Sequence, residues 1–468
     1  MLDLETLYRR SPVLVQNIMA TSYGLRERWL RYGGRYRQFC RDLDESQWWP
    51  LERLQSFQSQ RLQALVTFCG EQVPYYQDLF SSNGLTAQDI RTPADLAQLP
   101  MLDKEVVRET PERFMPRRLA EKMVPQTTGG TTGKPLRYFV TPTAVQYNYA
   151  TYEVRFRRWA GVRFGERMAS INGKAIVPAE ATGGPFWRYN LAFNQLYLSA
   201  YHLSEDNLHQ YVRRLESFRP ASIVGYVSTV HTIARFILKH NLVGSVRPKA
   251  VLVSSETLFD WLRADIESAF QCKVFDGYGM GELAAFITEC EAGSLHVSPE
   301  YGVVETVEVD KNLEMVCTGL SNYAMPLLRY RTGDIVEPGD QERCACGRQL
   351  PTVKAIMGRI DDRIITPEGA VVGPAPLSLA FQGVPNLKDA QICQESPREV
   401  AVSIVTTEDF GKADEQLLLA ELRRRLGHSI RISLSRVPEI ARTSAGKQRL
   451  IVSKIKRDTE TSAAIVGA

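Results

Sequence analysis

Thr127 to Leu136 read TTGGTTGKPL, packing four threonine hydroxyls, three glycines and one lysine into a loop with almost no apolar content. Glycines let backbone N–H groups approach a ligand closely, hydroxyls donate hydrogen bonds, and Lys134 brings a positive charge. That mixture suits the oxygens of a polyphosphate. It is not a Walker A loop: GxxxxGK[ST] needs Gly at 128 and Ser or Thr at 135, where this chain has Thr128 and Pro135. The loop therefore points to ATP handled without a P-loop, or else to a plain Gly/Thr turn between strands.

Three further groups downstream could serve the same chemistry. FDGYGMGE (Phe275 to Glu282) ends an apolar strand in a glycine-rich turn carrying Glu282. A carboxylate at the C-terminal edge of a strand is well placed to hold Mg²⁺ bridging ATP phosphates. In RYRTGDIV (Arg329 to Val336), Asp334 could accept hydrogen bonds from two ribose hydroxyls. RTSAGKQRL (Arg442 to Leu450) puts Lys447 in a small-residue loop, where a mobile point charge could meet charge developing between a carboxylate and an α-phosphate. Taken singly, an Asp after Gly also reads as a turn residue, and such a lysine as a solvated one.

A separate set is metal-like. Cys290 and His296 lie six apart, and Cys344 and Cys346 sit in CACGR. Three thiolates and an imidazole make a tetrahedral Cys₃His set for structural Zn²⁺. The competing reading is a CxC turn and a buried apolar Cys290.

Elements must hold these groups in place. At 468 residues the chain has room for two or three domains, and 44% hydrophobic residues are ample for large cores. A net charge of +4, with both signs mixed along the chain, argues against nucleic acid or an anionic membrane surface as partner. There is no apolar run long enough to span a bilayer and no signal-peptide core, so a soluble, cytoplasmic protein is expected, its eight cysteines kept as thiols or metal ligands.

Residues 1–95 carry helical periodicity: Leu51, Leu54, Phe57, Leu62, Leu65, Val66 and Phe68 share a face until Pro74. From about 120 to 358, short runs such as SIVGYV, AVLVSS and CKVFDGYG alternate with helical HTIARFILKH and DWLRADIESAF. The expected fold is α/β, with a mainly parallel sheet flanked by helices and ligands at the strand C-terminal ends. After a charged, turn-rich segment near Gly358, AVSIVT, QLLLAELRRRL and RISLSRV read as strand, helix and strand of a small α+β module. The division expected is 1–95, a helical segment packed on the large domain; 96–358, the large domain with mixed and parallel sheets; and 359–468, a small C-terminal domain.

In their order, TTGGTTGKP, SSETL, YGMGE, YRTGD, GRIDD and a terminal GK loop resemble the adenylate-forming ligases. The likeness is greatest to the phenylacetate–CoA ligase and CapK branch, and QVPYYQDLF, LPMLDKEVVRE and IVGYVS extend it over nearly the whole chain. The resemblance implies two steps: a carboxylate attacks the α-phosphate of ATP, giving an acyl-adenylate and pyrophosphate, and a thiol or amine then displaces AMP. It assigns Thr127, Thr128, Gly129, Gly130, Thr131, Thr132, Gly133 and Lys134 to the phosphates, and Ser255, Glu256 and Tyr278 to the adenine. It gives Glu282 to Mg²⁺, Asp334 and Arg359 to the ribose, and Lys447 to catalysis of the first step. Asp361 falls at the hinge of a mobile C-terminal lid. Some members of the branch similarly pair an upstream Cys/His with CxCGR. One departure stands out. The usual YG-x-T-E is YGMGE here, so Gly281 removes a threonine hydroxyl near the α-phosphate.

For the acyl group, candidate wall residues are Tyr147, Tyr152, Phe186, Trp187, Tyr226 and Phe286, some of which are expected to be core instead. An aromatic wall suits an aryl or arylacetic acid, whereas Arg188 or Lys174 could meet a second charge on an amino or sugar acid. The readings carried forward are a carboxylate–CoA ligase, an acyl-adenylating amide synthase or transferase in polysaccharide or natural-product assembly, and a non-catalytic nucleotide-binding homologue. Expected partners are a small carboxylic acid and CoA or an amine, with ATP/AMP, Mg²⁺ and Zn²⁺, and with room for a homodimer.

Overall fold

The computed structural model describes residues 4–128, 136–174, 176–178, 181–309, 312–339, 343–359, 363–367, 371–372, 374, 377, 380–381, 383–443 and 448–455. Gly129 to Lys134, Asp361 and Lys447 therefore lie outside the described residues. The chain divides into two compact units, with the boundary between Ile356 and Met357.

The first unit opens with helices Leu4–Arg10, Val13–Tyr32, Tyr36–Ser46, Leu51–Gln72 and Pro74–Ser82. Pro74 ends one helix and starts the next, because its missing N–H is harmless in a first turn. Leu54, Leu62, Leu65, Val66 and Cys69 line the buried face of Leu51–Gln72. Each such side chain contributes roughly 1.5–3 kcal/mol by leaving water.

Strands β1 (Val124–Thr127) and β2 (Arg137–Val140) form an antiparallel hairpin. The other strands of this unit are β3 (Met168–Asn172), β4 (Trp187–Asn190), β5 (Gln195–Ser199), β6 (Ser222–Tyr226), β7 (Ala250–Ser254), β8 (Lys273–Gly279), β9 (Phe286–Glu289), β10 (Leu295–Val297), β11 (Gly302–Val309), β12 (Asn312–Gly319), β13 (Tyr330–Pro338) and β14 (Thr352–Arg359). They make one twelve-stranded sheet in the order β11-β12-β13-β14-β10-β9-β8-β7-β6-β3-β5-β4. Among the described pairings, the run β8-β7-β6-β3-β5 is parallel, and β4 and β9 flank it antiparallel. A mainly parallel sheet thus holds for Met168–Gly279 and fails beyond it. After Gly279 no described helix crosses between strands, and the pairs β8-β9, β9-β10, β10-β14, β11-β12 and β12-β13 are antiparallel.

Helices Glu205–Phe218, Val227–Lys239 and Asp260–Phe270 connect the parallel strands and bury one apolar core against them. A second core joins the N-terminal helices to the hairpin and to the β8–β9 turn. Between these helices and the sheet lies a buried ion pair. Arg155, on a π-helical turn Tyr152–Arg157, meets Glu300 Oε1 at 2.5 Å and donates to the Leu43 carbonyl at 3.0 Å and to Ser46 Oγ at 3.2 Å.

The second unit contains β15 (Ile364–Ile365), β16 (Val371–Val372), β17 (Leu387–Ser396), β18 (Glu399–Thr406), β19 (Arg431–Arg436) and β20 (Ile451–Ser453). Its four-stranded sheet runs β19-β18-β17-β20, and helix Lys412–Leu426 packs Leu418, Leu422 and Leu426 into its core. That is the α+β module expected from the sequence. Among the described residues, no helix is long and apolar enough to cross a membrane.

Candidate active site and metal cluster

The β1–β2 ladder runs to Thr127 and Arg137, on either side of the Gly/Thr segment. Its base is closed by Thr128, whose N–H donates to the Leu136 carbonyl at 2.9 Å while its Oγ1 accepts from the Leu136 N–H at 2.9 Å. Thr127 ends β1. Strand geometry thus fixes both ends of the loop.

Glu282 lies on a tight turn between β8 and β9, in which Leu283 N–H reaches back to the Met280 carbonyl at 3.1 Å. The backbone after Glu282 is pressed against two facing glycines, Gly302 and Gly319, paired across β11 and β12. A Cβ on Gly302 would stand 2.2 Å from the Ala284 carbonyl oxygen, and one on Gly319 2.4 Å from that of Leu283. Any side chain there would push the Glu282 turn away. The carboxylate is buried, and its Oε1 accepts from Tyr330 Oη at 3.1 Å and from Lys104 Nζ at 3.2 Å.

Lys104 is delivered from far upstream. Leu102 bridges to Tyr330 in strand fashion, exchanging backbone hydrogen bonds with Arg329 and Arg331, and Asp103 pairs with Arg331 at 3.0 Å. The helix Lys104–Glu109 then starts beside Glu282. Sequence reasoning quoted LPMLDKEVVRE but gave Lys104 no role; its place between a strand-like run and a helix start was the available signal.

Asp334 sits where β13 bulges. The register with β12 slips between Glu314 and Val316, so Thr332 to Asp334 bow out of the ladder. Gly333 takes the left-handed φ of +73° that this bulge requires, and the Asp334 N–H donates to Thr332 Oγ1 at 3.0 Å. Tyr278, near the end of β8, donates its hydroxyl to Asp334 Oδ2 at 2.6 Å. Burial, then the neighbouring Asp334 charge, pushes the Tyr278 hydroxyl well above its ordinary range, so it remains a donor.

Ser255 adopts φ +72° just past β7. Glu256 accepts from the Ser228 N–H at 2.7 Å and its Oγ at 3.1 Å, capping the start of helix Val227–Lys239. Arg359 is the last residue of β14.

The aromatic candidates divide between two cores. Tyr147 is buried, stacks on Tyr301 and donates to the Glu300 carbonyl at 3.1 Å; Phe286 packs nearby on the same core. Phe186 stacks between His202 and Tyr211 in the other core, with Trp187 at its margin. Tyr226 ends β6 and is half-buried. Of the two charged candidates, Arg188 is buried on Gln16 and the Pro185 carbonyl, and Lys174 lies over the Tyr197 ring.

The Cys/His set forms a single cluster. The ligating atoms of Cys290, His296, Cys344 and Cys346 all lie within 4.8 Å of one another. Cys290 and Cys344 sulfurs are 3.7 Å apart, and Cys346 Sγ is 3.4 Å from His296 Nε2. A tetrahedral zinc with Zn–S bonds of about 2.3 Å sets its ligands roughly 3.5–3.8 Å apart, so the donor set fits that ion. His296 Nδ1 donates to the Leu350 carbonyl at 3.1 Å, leaving Nε2 turned to the cysteines. Burial keeps this imidazole neutral, below its usual range. Burial raises the Cys344 thiol, but its hydrogen bonds with Ser294 and with the Cys346 N–H outweigh that and hold it below its ordinary range. The cluster ties the β9–β10 hairpin to the loop preceding β14.

The chain matches the family model described as the CapK C-terminal domain over residues 364–454. It is 32% identical over 456 residues to protein CapK of Staphylococcus aureus, covering 97% of this chain and all of that one. It is 24% identical over 441 residues to phenylacetate-coenzyme A ligase of Thermus thermophilus, covering 86% and 97% of the two chains. Among solved structures it resembles 2-hydroxyisobutyryl-CoA ligase in the postadenylation state with 2-HIB-AMP, at a TM-score of 0.67, 17% identity, and 86% and 90% coverage. That likeness is one of fold.

Proposed function

From the premise that this chain belongs to the CapK family, in the phenylacetate–CoA ligase-like branch of the adenylate-forming ligases, we propose that it activates a carboxylic acid as an acyl-adenylate and passes the acyl group to CoA. A carboxylate oxygen forms a bond to the α-phosphorus of ATP as the bond to pyrophosphate breaks. The CoA sulfur then forms a bond to the acyl carbon, and AMP leaves. No covalent protein intermediate is needed, so the protein's contribution is position and charge.

The observation that carries this reading is a continuous chain of contacts on the large unit. A Cβ placed on Gly281 would lie 3.6 Å from Thr128 Cγ2, next to Glu282; Glu282 meets Tyr330; and β13 leads from Tyr330 to Asp334, which binds Tyr278. Thr128, Glu282 and Asp334 are thereby linked through neighbouring contacts, which supports a reading in which all three serve one nucleotide. In this reading Thr127 to Lys134 hold the phosphates, Asp334 with Arg359 holds the ribose, and Ser255 and Tyr278 border the adenine. Glu282 would hold Mg²⁺, which neutralises phosphate charge when bound. Lys447 meets the charge developing at the α-phosphate, Asp361 is the hinge of the lid, and Tyr226 and Phe286 border the acyl group. The Cys₃His cluster would hold a structural Zn²⁺, adding to the fold and not to the reaction.

Relatives named as CoA ligases support CoA as acceptor, whereas the higher identity to protein CapK favours testing amines beside it. Acid-dependent ATP–pyrophosphate exchange tests the first half-reaction. Supplying CoA or amines to the adenylating enzyme and identifying the acyl product tests the second.

A further inference from the structure

Gly281 stands where the YG-x-T-E motif that this chain resembles has a threonine, and the structure packs a side chain closely against it. A Cβ built there would lie 2.9 Å from the hydroxyl oxygen of Tyr138, closer than side chains pack, and 3.4 Å from the ring carbon bearing it. Tyr138 lies on β2, in the short segment that follows the phosphate loop, and is almost fully buried. Its hydroxyl and the Thr128 methyl both face the position that a Gly281 side chain would take, next to Glu282, where the phosphates are placed by the reading above.

We propose that Tyr138 is a catalytic residue of this chain, its hydroxyl filling the space of the missing threonine and donating to an ATP phosphate oxygen. The proposal rests on the adenylating function. Gly281 and Tyr138 then act as one exchange: the hydroxyl arrives from the hairpin instead of from the turn, and the turn must lose its side chain to admit it. Burial, followed by the charge of Glu282, holds the phenol above its ordinary range, so it stays protonated as a donor. Sequence reasoning registered the loss at 281 but not its partner, because the two positions are 143 residues apart and meet only in the fold.

The test is a double-mutant cycle on the full chain, with Tyr138→Phe, Gly281→Thr and the pair together. Each is measured for acid-dependent ATP–pyrophosphate exchange, MgATP affinity by calorimetry, and melting temperature. Tyr138→Phe is expected to melt like the wild type, bind MgATP about tenfold more weakly, and exchange about 100-fold more slowly. Gly281→Thr is expected to lose activity because the new side chain and the phenol compete for one space. The double variant is expected to regain at least about tenfold over Tyr138→Phe, since the threonine hydroxyl then takes over the donation. Full activity and affinity in Tyr138→Phe, or a double variant no better than it, would overturn the proposal. Should the wild type exchange pyrophosphate with no acid, the adenylating reading falls. MgATP affinity then decides for the tyrosine: weakening in Tyr138→Phe with recovery in the pair supports it, and equal affinities overturn it.

Discussion

Lys104 and Glu282 are 178 residues apart in sequence and form an ion pair at 3.2 Å, the carboxylate almost fully buried and the ammonium partly open to solvent. The carboxylate proposed for Mg²⁺ is thus already matched by a protein cation. An incoming metal must replace that ion pair or share the carboxylate with it.

Replacing Lys104 by Met should therefore lower the Mg²⁺ concentration needed for half-maximal pyrophosphate exchange, because the metal no longer competes with an ammonium. Glu282→Gln should slow exchange by about 100-fold and raise the Mg²⁺ requirement. A magnesium titration of both variants checks this; an unchanged requirement in each contradicts the assignment of Glu282.

Tyr278→Phe removes the 2.6 Å hydrogen bond that orients Asp334. If the bond serves ribose binding equally before and during the reaction, the ATP KM should rise about tenfold with kcat nearly unchanged. Steady-state kinetics in ATP distinguishes this from a fall in kcat, which would assign the pair to the transition state.

For the Cys₃His cluster, protein purified without chelator should carry one zinc per chain by elemental analysis. Cys346→Ser should lose the metal and melt at a lower temperature while retaining kcat below its melting range. Metal-free wild-type protein of unchanged melting temperature would show that the cluster is only thiols.

Asp276 offers a pH test of packing beside the site. Burial first, and the neighbouring Glu289 second, raise its pKa from 3.8 to about 7, against the opposing Arg263. A carboxyl with a raised folded-state pKa binds its proton more tightly when folded, so its ionisation costs stability as pH rises through about 7. Asp276→Asn should melt higher than wild type above that pH, and the advantage should close as pH falls toward 3.8. A pH-independent difference would remove Asp276 as its cause.

What the sequence disclosed was whatever a short window can carry. Asp260–Phe270 and Lys412–Leu426 announce themselves by periodicity, β6 and β7 by short apolar runs, and the thiol pair by its spacing. The parallel core was legible because strands alternate with helices, but the same rule failed after Gly279, where the strands pair antiparallel with no described helix crossing between them. Partners joined across the fold stayed hidden. Lys104 on Glu282, Tyr138 against Gly281 and Arg155 on Glu300 each link segments more than 100 residues apart, and no local pattern encodes them. Glu256 illustrates another gap: its motif position suggested adenine, while its carboxylate is engaged by the first turn of a helix.

The central claim is that this chain makes an acyl-adenylate, and acid-dependent ATP–pyrophosphate exchange over a panel of aromatic, amino and sugar acids tests it most directly. The expected result is Mg²⁺-dependent exchange with at least one acid class, abolished in Lys447→Ala while that variant still binds ATP. Exchange no higher with any acid than without, in wild-type protein that binds MgATP, would contradict it.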